Sequence, residues 1–129
     1  MAIDPNLPPL RHLTPEQIAE ITQLVGDGST LEQRWEQYAE NYGLAASGGD
    51  PVERVRVSVR KRLTQLQDIL CKDLALAKLA SSPQTGVAIS TALLITDKLI
   101  DAKYHDVDIA TFGVLVAQIG IFSICAGTL

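Results

Sequence analysis

The stretch that decides the fold is residues 109–126, Ile-Ala-Thr-Phe-Gly-Val-Leu-Val-Ala-Gln-Ile-Gly-Ile-Phe-Ser-Ile-Cys-Ala, which contains no charged residue. A helix of this length reaches the lower limit for crossing a bilayer. Gln118 lies near its centre, however, no Lys or Arg flanks either end, and no aromatic belt marks a membrane interface. We therefore expect a helix buried in a water-soluble bundle, with a membrane anchor at 109–126 as the alternative.

The segment before this stretch predicts a second apolar helix, over residues 84–104. Its first half, Val87 to Ile95, is apolar on nearly all sides, which is typical of a deeply buried helix. Its second half is amphipathic, and Asp108 can cap the helix that follows. The two helices together predict a buried apolar pair at the C-terminal end of the chain.

The N-terminal half predicts two capped helices. Thr14, Pro15 and Gln17 form the start signal of a helix over residues 15–25. A second helix is predicted over 30–42, where apolar residues recur at helical spacing: Leu31, Trp35, Tyr38 and Tyr42. We expect this stripe to lie in the core, because aromatic side chains at such spacing are usually buried; an exposed aromatic binding surface is the alternative.

The third helix is predicted to be long, from residue 51 to residue 80. Asp50 and Pro51 supply a cap and a first-turn proline, and apolar residues then recur in steps of three and four: Val52, Val55, Val59, Leu63, Leu66 and Leu70. The alternation from Val55 to Val59 also fits a strand, but the Leu, Gln, Ala and Lys residues that follow favour helix.

Together these patterns predict an all-α, single-domain bundle of about five helices. The predicted bundle spans residues 14–129. Its main features are one long central helix and the buried apolar helix pair at the C-terminal end. Residues 1–13, which contain Pro5, Pro8 and Pro9, form an extended N-terminal segment. The length of 129 residues fits one domain, and the linker at 45–49 predicts a bend and not a boundary.

Charge is distributed unevenly along the chain, whose formal net charge is −4. Residues 1–50 carry eight acids and two bases, whereas residues 51–80 carry three acids and seven bases. The basic residues cluster at the start of the third helix: Arg54, Arg56, Arg60, Lys61 and Arg62. We predict that they contact an acidic surface of a partner protein; the alternative is an internal match to Glu32, Glu36 and Glu40. The overall negative charge and the absence of interleaved aromatic residues argue against nucleic acid.

A low-ranking metal hypothesis rests on Asp97, Asp101 and His105, whose spacing of four places them on one helical face. The simpler interpretation is a solvated face balanced by Lys98 and Lys103. A metal site usually needs ligands from a second element, and His12 is the only other histidine. The sequence contains no phosphate-binding loop, nucleophile elbow or Cys-x-x-Cys motif, so we expect neither a cofactor nor an enzyme.

The two cysteines, Cys71 and Cys125, lie in unlike apolar surroundings. We interpret them as separate buried thiols and not as a disulfide or a zinc site. No charged start followed by an apolar run is visible, so we expect a cytoplasmic protein.

The leading functional hypothesis is a small helical protein–protein interaction module: an adaptor, a regulator or an accessory subunit. The apolar helix pair that ends in Ile124-Cys125-Ala126-Gly127 resembles small helical modules that accompany bacterial NTPases and proteases in defence systems. The resemblance covers the last third of the chain and implies membership of a defence or signalling assembly, but no residue roles. A homo-oligomer would cover any part of the fifth helix that its neighbours leave open. A membrane-associated protein and a metal-dependent enzyme or sensor using segment 97–108 are the alternatives.

Overall fold

A computed structural model describes residues 9–41, 50–73, 76–77, 88–105 and 108–127, and these ranges contain helices and no strand. The prediction of an all-α fold is therefore confirmed for this part of the chain, including the valine-rich stretch that could have been a strand. The helices are α1 (Pro15–Gly26), α2 (Leu31–Asn41), α3 (Pro51–Lys61), α4 (Leu63–Leu70), α5 (Ala88–Asp101), α6 (Ile109–Ile119) and α7 (Ile121–Ala126).

The apolar pair α5 and α6 forms the centre of the fold, as the sequence indicates. Residues 89–97 of α5 and 110–116 of α6 are all buried. On one side, α1 covers the pair, and Leu10 and Leu13 pack beside α1 against it. On the other side, α2 packs on α6 and α4 packs on α5. Two apolar clusters result, one on each side of the central pair.

Helix starts follow the local capping chemistry. Thr14 accepts a hydrogen bond from the backbone N–H of Gln17, whose side chain accepts one from the N–H of Thr14. The same reciprocal pair joins Thr30 and Gln33 at the start of α2. Asp50 caps α3 through the N–H of Val52.

The predicted helix over residues 109–126 is wrong in one respect, because the chain breaks at Gly120. Gly120 has φ 100° and ψ 135°, a conformation that glycine adopts without steric cost and that ends α6. The uncharged stretch is therefore divided into α6 and the short helix α7. In the ranges described, no helix combines the length and the apolar character that crossing a bilayer requires.

The predicted single helix over residues 51–80 is also wrong. Arg62 has φ −101° and ψ 5°, and its backbone N–H bonds to the carbonyl of Val59, one residue short of the α-helical partner. A second interruption follows Leu70, after which Asp73 caps a new turn by accepting from the N–H of Leu76 at 2.9 Å. The predicted end of this helix at residue 80 lies outside the described residues.

The aromatic stripe of α2 lies in the core, as predicted. Trp35 and Tyr38 are buried, whereas Leu31 at the start of the stripe is 37% exposed. The Tyr38 ring packs at 5.3 Å from that of Phe112 on α6. Tyr42 lies outside the described residues.

The cysteines correct another prediction, because Cys71 and Cys125 form a disulfide. Cys71 follows α4 and Cys125 belongs to α7, and these two helices pack against each other with Cα atoms 5.7 Å apart at the bridge. Their separation of 54 positions in sequence gave no indication of this contact. Only the return of α7 onto α4 brings the two sulfur atoms together.

Candidate interaction surface

Arg56, one of the five predicted partner-binding residues, is engaged within the fold. Its Nη2 lies 3.0 Å from Oε2 of Glu32 on α2, and its guanidinium carbon lies 5.4 Å from the centre of the Trp35 ring. The side chain is 34% exposed, so it lies along the α2–α3 contact with one edge in water. For Arg56, the structure therefore agrees with the alternative interpretation, in which basic residues of α3 pair with acidic residues of α2.

Arg62 also points into the protein. Its Nη1 donates a 2.6 Å hydrogen bond to the hydroxyl of Tyr104. Its guanidinium carbon lies 5.4 Å from the centre of the Phe112 ring, which stacks on the ring of Tyr104 at 5.4 Å. Such cation–π contacts are stronger when water is excluded. Arg62 is half-buried and connects the α3–α4 junction to the central helices.

The remaining three bases stay on the surface. Arg60 is 45% exposed and lies 3.6 Å from Glu53 of the same helix, an ion pair that solvent weakens. Arg54 and Lys61 are exposed and form no ion pair with the residues that the structure describes. Val57 is 38% exposed and lies between them in sequence, three residues after Arg54 and four before Lys61. Residues at this spacing share one side of a helix; Arg54, Val57 and Lys61 form what we call the α3 face.

Packing of the opposite side of α3 fixes the orientation of this face. Val55 and Val59 are buried in the larger apolar cluster, and Val52 packs against its edge. With one side of the helix held in the core, the α3 face must point to solvent. The packed helix backbone therefore loses little conformational entropy on binding, and the cost falls on the side chains of Arg54 and Lys61.

Two residues of the metal hypothesis, Asp97 and Asp101, both contact His12, whereas His105 lies apart from them. Asp97 is buried and accepts a 2.8 Å hydrogen bond from the backbone N–H of His12, while Oδ1 of Asp101 lies 3.1 Å from Nε2 of His12. His105 is exposed beyond the end of α5. Among the described residues, no group of three His, Cys, Asp or Glu side chains is arranged to hold a metal ion. The two carboxylates instead hold His12, just before α1, against α5.

A shallow groove of about 380 Å³ lies beside this contact, between the end of α4 and the end of α5. Its polar lining residues are Asp68, Lys72, Asp73, Lys98 and Asp101. Lys98 lies 2.8 Å from Asp73, and this hydrogen bond raises the pKa of Lys98 above its ordinary value despite the opposing effect of burial. The central charges of the groove therefore neutralise each other.

A buried arginine that the sequence analysis did not identify joins three helices. Arg34 is 1% exposed. It donates from Nε to Oε1 of Gln118 at 2.8 Å, from Nη1 to Gln37 at 2.6 Å, and from Nη2 to the carbonyl of Leu24 at 2.8 Å. Asp27 completes the set at 3.0 Å. The sequence feature that could have indicated this network is Gln118, an amide in a mostly apolar helix, because an amide removed from water requires a polar partner.

No family model matches this chain, and neither a curated protein nor a solved structure gives a match. Functional inference therefore depends on the surface and contacts described above.

Proposed function

We propose that this protein is a small helical interaction module, acting as an adaptor, a regulator or an accessory subunit, and that its α3 face binds an acidic segment of a partner protein. The observation that supports the proposal is the pair of exposed bases without a described ion pair, Arg54 and Lys61, on either side of the exposed Val57. The site is smaller than the basic cluster that the sequence suggested, because Arg56 and Arg62 make contacts within the fold.

This arrangement fits an acidic segment that also carries an apolar side chain. The partner's carboxylates would approach Arg54 and Lys61, and its apolar residue would cover Val57. Exposed ion pairs contribute on the order of 0–1 kcal/mol each, so the charges would mainly orient and accelerate the encounter. Binding should therefore weaken as the salt concentration rises.

The surroundings of the α3 face favour protein over nucleic acid. Three acidic side chains of the neighbouring α2 are exposed, and so is one at the start of α3: Glu32, Glu36, Glu40 and Glu53. A phosphate backbone is a continuous line of negative charge and would be repelled along this border. A short acidic segment can avoid it.

The disulfide bears on the compartment of this module. Disulfides persist in oxidising environments and are rare in the cytoplasm of mesophiles. The Cys71–Cys125 bridge therefore favours an oxidising compartment over the cytoplasmic location expected from the sequence.

Charge reversal on the α3 face tests the proposal. We expect Arg54→Glu/Lys61→Glu to abolish capture of those partner proteins that the wild type retains at low salt and releases at about 0.5 M salt. Cross-linking and mass spectrometry of material captured from the cells of origin would identify them. The far-ultraviolet circular dichroism and the melting temperature should change little, because both side chains are exposed.

A matched control is Arg11→Glu/Lys103→Glu, which changes the net charge equally at exposed positions away from α3. We expect it to retain the same partners. Equal loss in both variants would show that net charge alone governs capture, and unchanged capture by the α3 variant would reject the α3 face as the binding site.

A further inference from the structure

The C-terminal helix α7 is the shortest of the named helices and packs on α4 and α6. It has six residues, follows the break at Gly120, and has no side-chain cap at its start. Ile121 and Ile124 are buried, and the carbonyl of Ile124 accepts a 3.0 Å hydrogen bond from the side chain of Gln67 on α4. The disulfide with Cys71 adds a covalent link to α4. A helix this short does not persist in water without such tertiary contacts.

The two halves of the disulfide differ in their access to solvent. Cys125 is exposed, whereas Cys71 is half-buried at the end of α4. Thiol–disulfide exchange requires an external thiolate to reach one sulfur atom, and access helps to decide which sulfur is attacked.

We propose that the Cys71–Cys125 bridge is a site of thiol–disulfide exchange with a dithiol reductant, and that reduction detaches α7 from α4. The thiolate of the reductant attacks Sγ of Cys125 and forms a mixed disulfide. The bond to Cys71 breaks, and the Cys71 thiolate takes a proton from water. The second thiol of the reductant then attacks the reductant sulfur that is bonded to Cys125, and Cys125 is released as a thiol. Two electrons pass to the cysteines, and the reductant leaves as a cyclic disulfide.

Release is local because the central contacts do not depend on α7. Ile121 and Ile124 belong to the larger apolar cluster, but the smaller cluster, through which α1 packs on α5 and α6, contains no residue of α7. Detachment uncovers part of the larger apolar cluster, to which Ile121 and Ile124 belong. The proposed release of α7 does not involve the α3 face.

Hydrogen exchange of the full chain, with and without dithiothreitol, tests the release. In the reduced sample, an alkylating agent should modify both cysteines. The amides of residues 121–126 should exchange about tenfold faster or more, while the amides of α5 and α6 keep their protection. The Cys71→Ser/Cys125→Ser variant should reproduce this exchange pattern without reductant.

Three outcomes would reject the release of α7. One is unchanged exchange in α7 after reduction, which would show that the buried isoleucines suffice to hold it. Another is loss of protection throughout the chain, which would make the disulfide a global clamp. The third is failure of dithiothreitol to reduce the folded protein at all.

Glutathione, which has one thiol, tests the direction of attack. Brief treatment of the folded protein followed by acid quenching and peptide mass mapping should place the glutathione adduct on Cys125 and leave Cys71 free. An adduct mainly on Cys71 would contradict the proposed order of bond breaking. Adducts shared equally between the two cysteines would do so as well, because they would show no selection by access.

Discussion

Arg34→Met is expected to lower the free energy of unfolding by about 3 kcal/mol, because several groups lose a hydrogen bond from a charged donor and each such bond contributes about 1.5–3 kcal/mol. The guanidinium supplies donors to Gln118, Gln37, Leu24 and Asp27 from a position that is 1% exposed. Methionine fills much of the same volume but donates no hydrogen bond. The Gln118 side-chain carbonyl then loses its Arg34 donor in an otherwise apolar helix, and buried polar groups without partners are costly.

Chemical denaturation monitored by circular dichroism would measure this loss. Arg56→Met is the matched control, since Arg56 also makes an interhelical ion pair but is 34% exposed and pairs with a 65% exposed Glu32. We expect the control to lose about 1 kcal/mol or less. Equal losses in the two variants would show that the buried network of Arg34 has no special weight.

The same variant should change the response to acid. Burial pushes the pKa of Asp27 upward, but hydrogen bonds from Ser29 and Arg34 outweigh it and hold the pKa below its ordinary value of 3.8. A lowered carboxyl pKa adds stability above the unfolded-state value, and this stability is lost as the pH falls through the folded-state pKa. We expect the stability of Arg34→Met to decline less between about pH 5 and pH 2 than that of the wild type. Parallel declines would contradict the coupling of Asp27 to Arg34.

Gly113→Ala is expected to lower the free energy of unfolding by about 2 kcal/mol, although alanine is the better helix former. Gly113 lies where α6 crosses α5 most closely. A methyl group there would overlap Oγ1 of Thr96 and lie 3.1 Å from its Cβ. Thr96 is fully buried, and its hydroxyl donates a 2.7 Å hydrogen bond to the carbonyl of Ala92. Either Thr96 rotates and loses that bond, or the two helices separate, and both responses cost stability.

A double-mutant cycle identifies this clash. Thr96→Ala in the Gly113→Ala background removes the overlapping oxygen and should restore part of the lost stability. Gly26→Ala is the control, because no atom lies within 4 Å of the added methyl group at the end of α1; we expect its stability to be unchanged or slightly higher. Additive effects at Gly113 and Thr96 would show that the helices do not meet at these two residues.

The elements that the sequence predicted well are those determined by neighbours along the chain. The capping box of Thr14 and Gln17, the aromatic stripe of α2 and the burial of α5 and α6 all follow from residues within a few turns of one another. The sequence also placed the basic side chains on α3. It did not show which of these side chains stay exposed and which contact other parts of the fold, because the partners of Arg56 and Arg62 lie on α2 and beyond α5.

By itself, then, the sequence determined that this chain is helical and that its most apolar helices lie at the centre, because periodicity and capping act over short distances. Tertiary structure alone decided the break at Gly120, the pairing of cysteines 54 positions apart, and the contact of Arg34 with Gln118, 84 positions away. These features depend on which helix faces come together. That choice is made by the packing of the whole domain, in which a turn of the backbone at one glycine places α7 on α4.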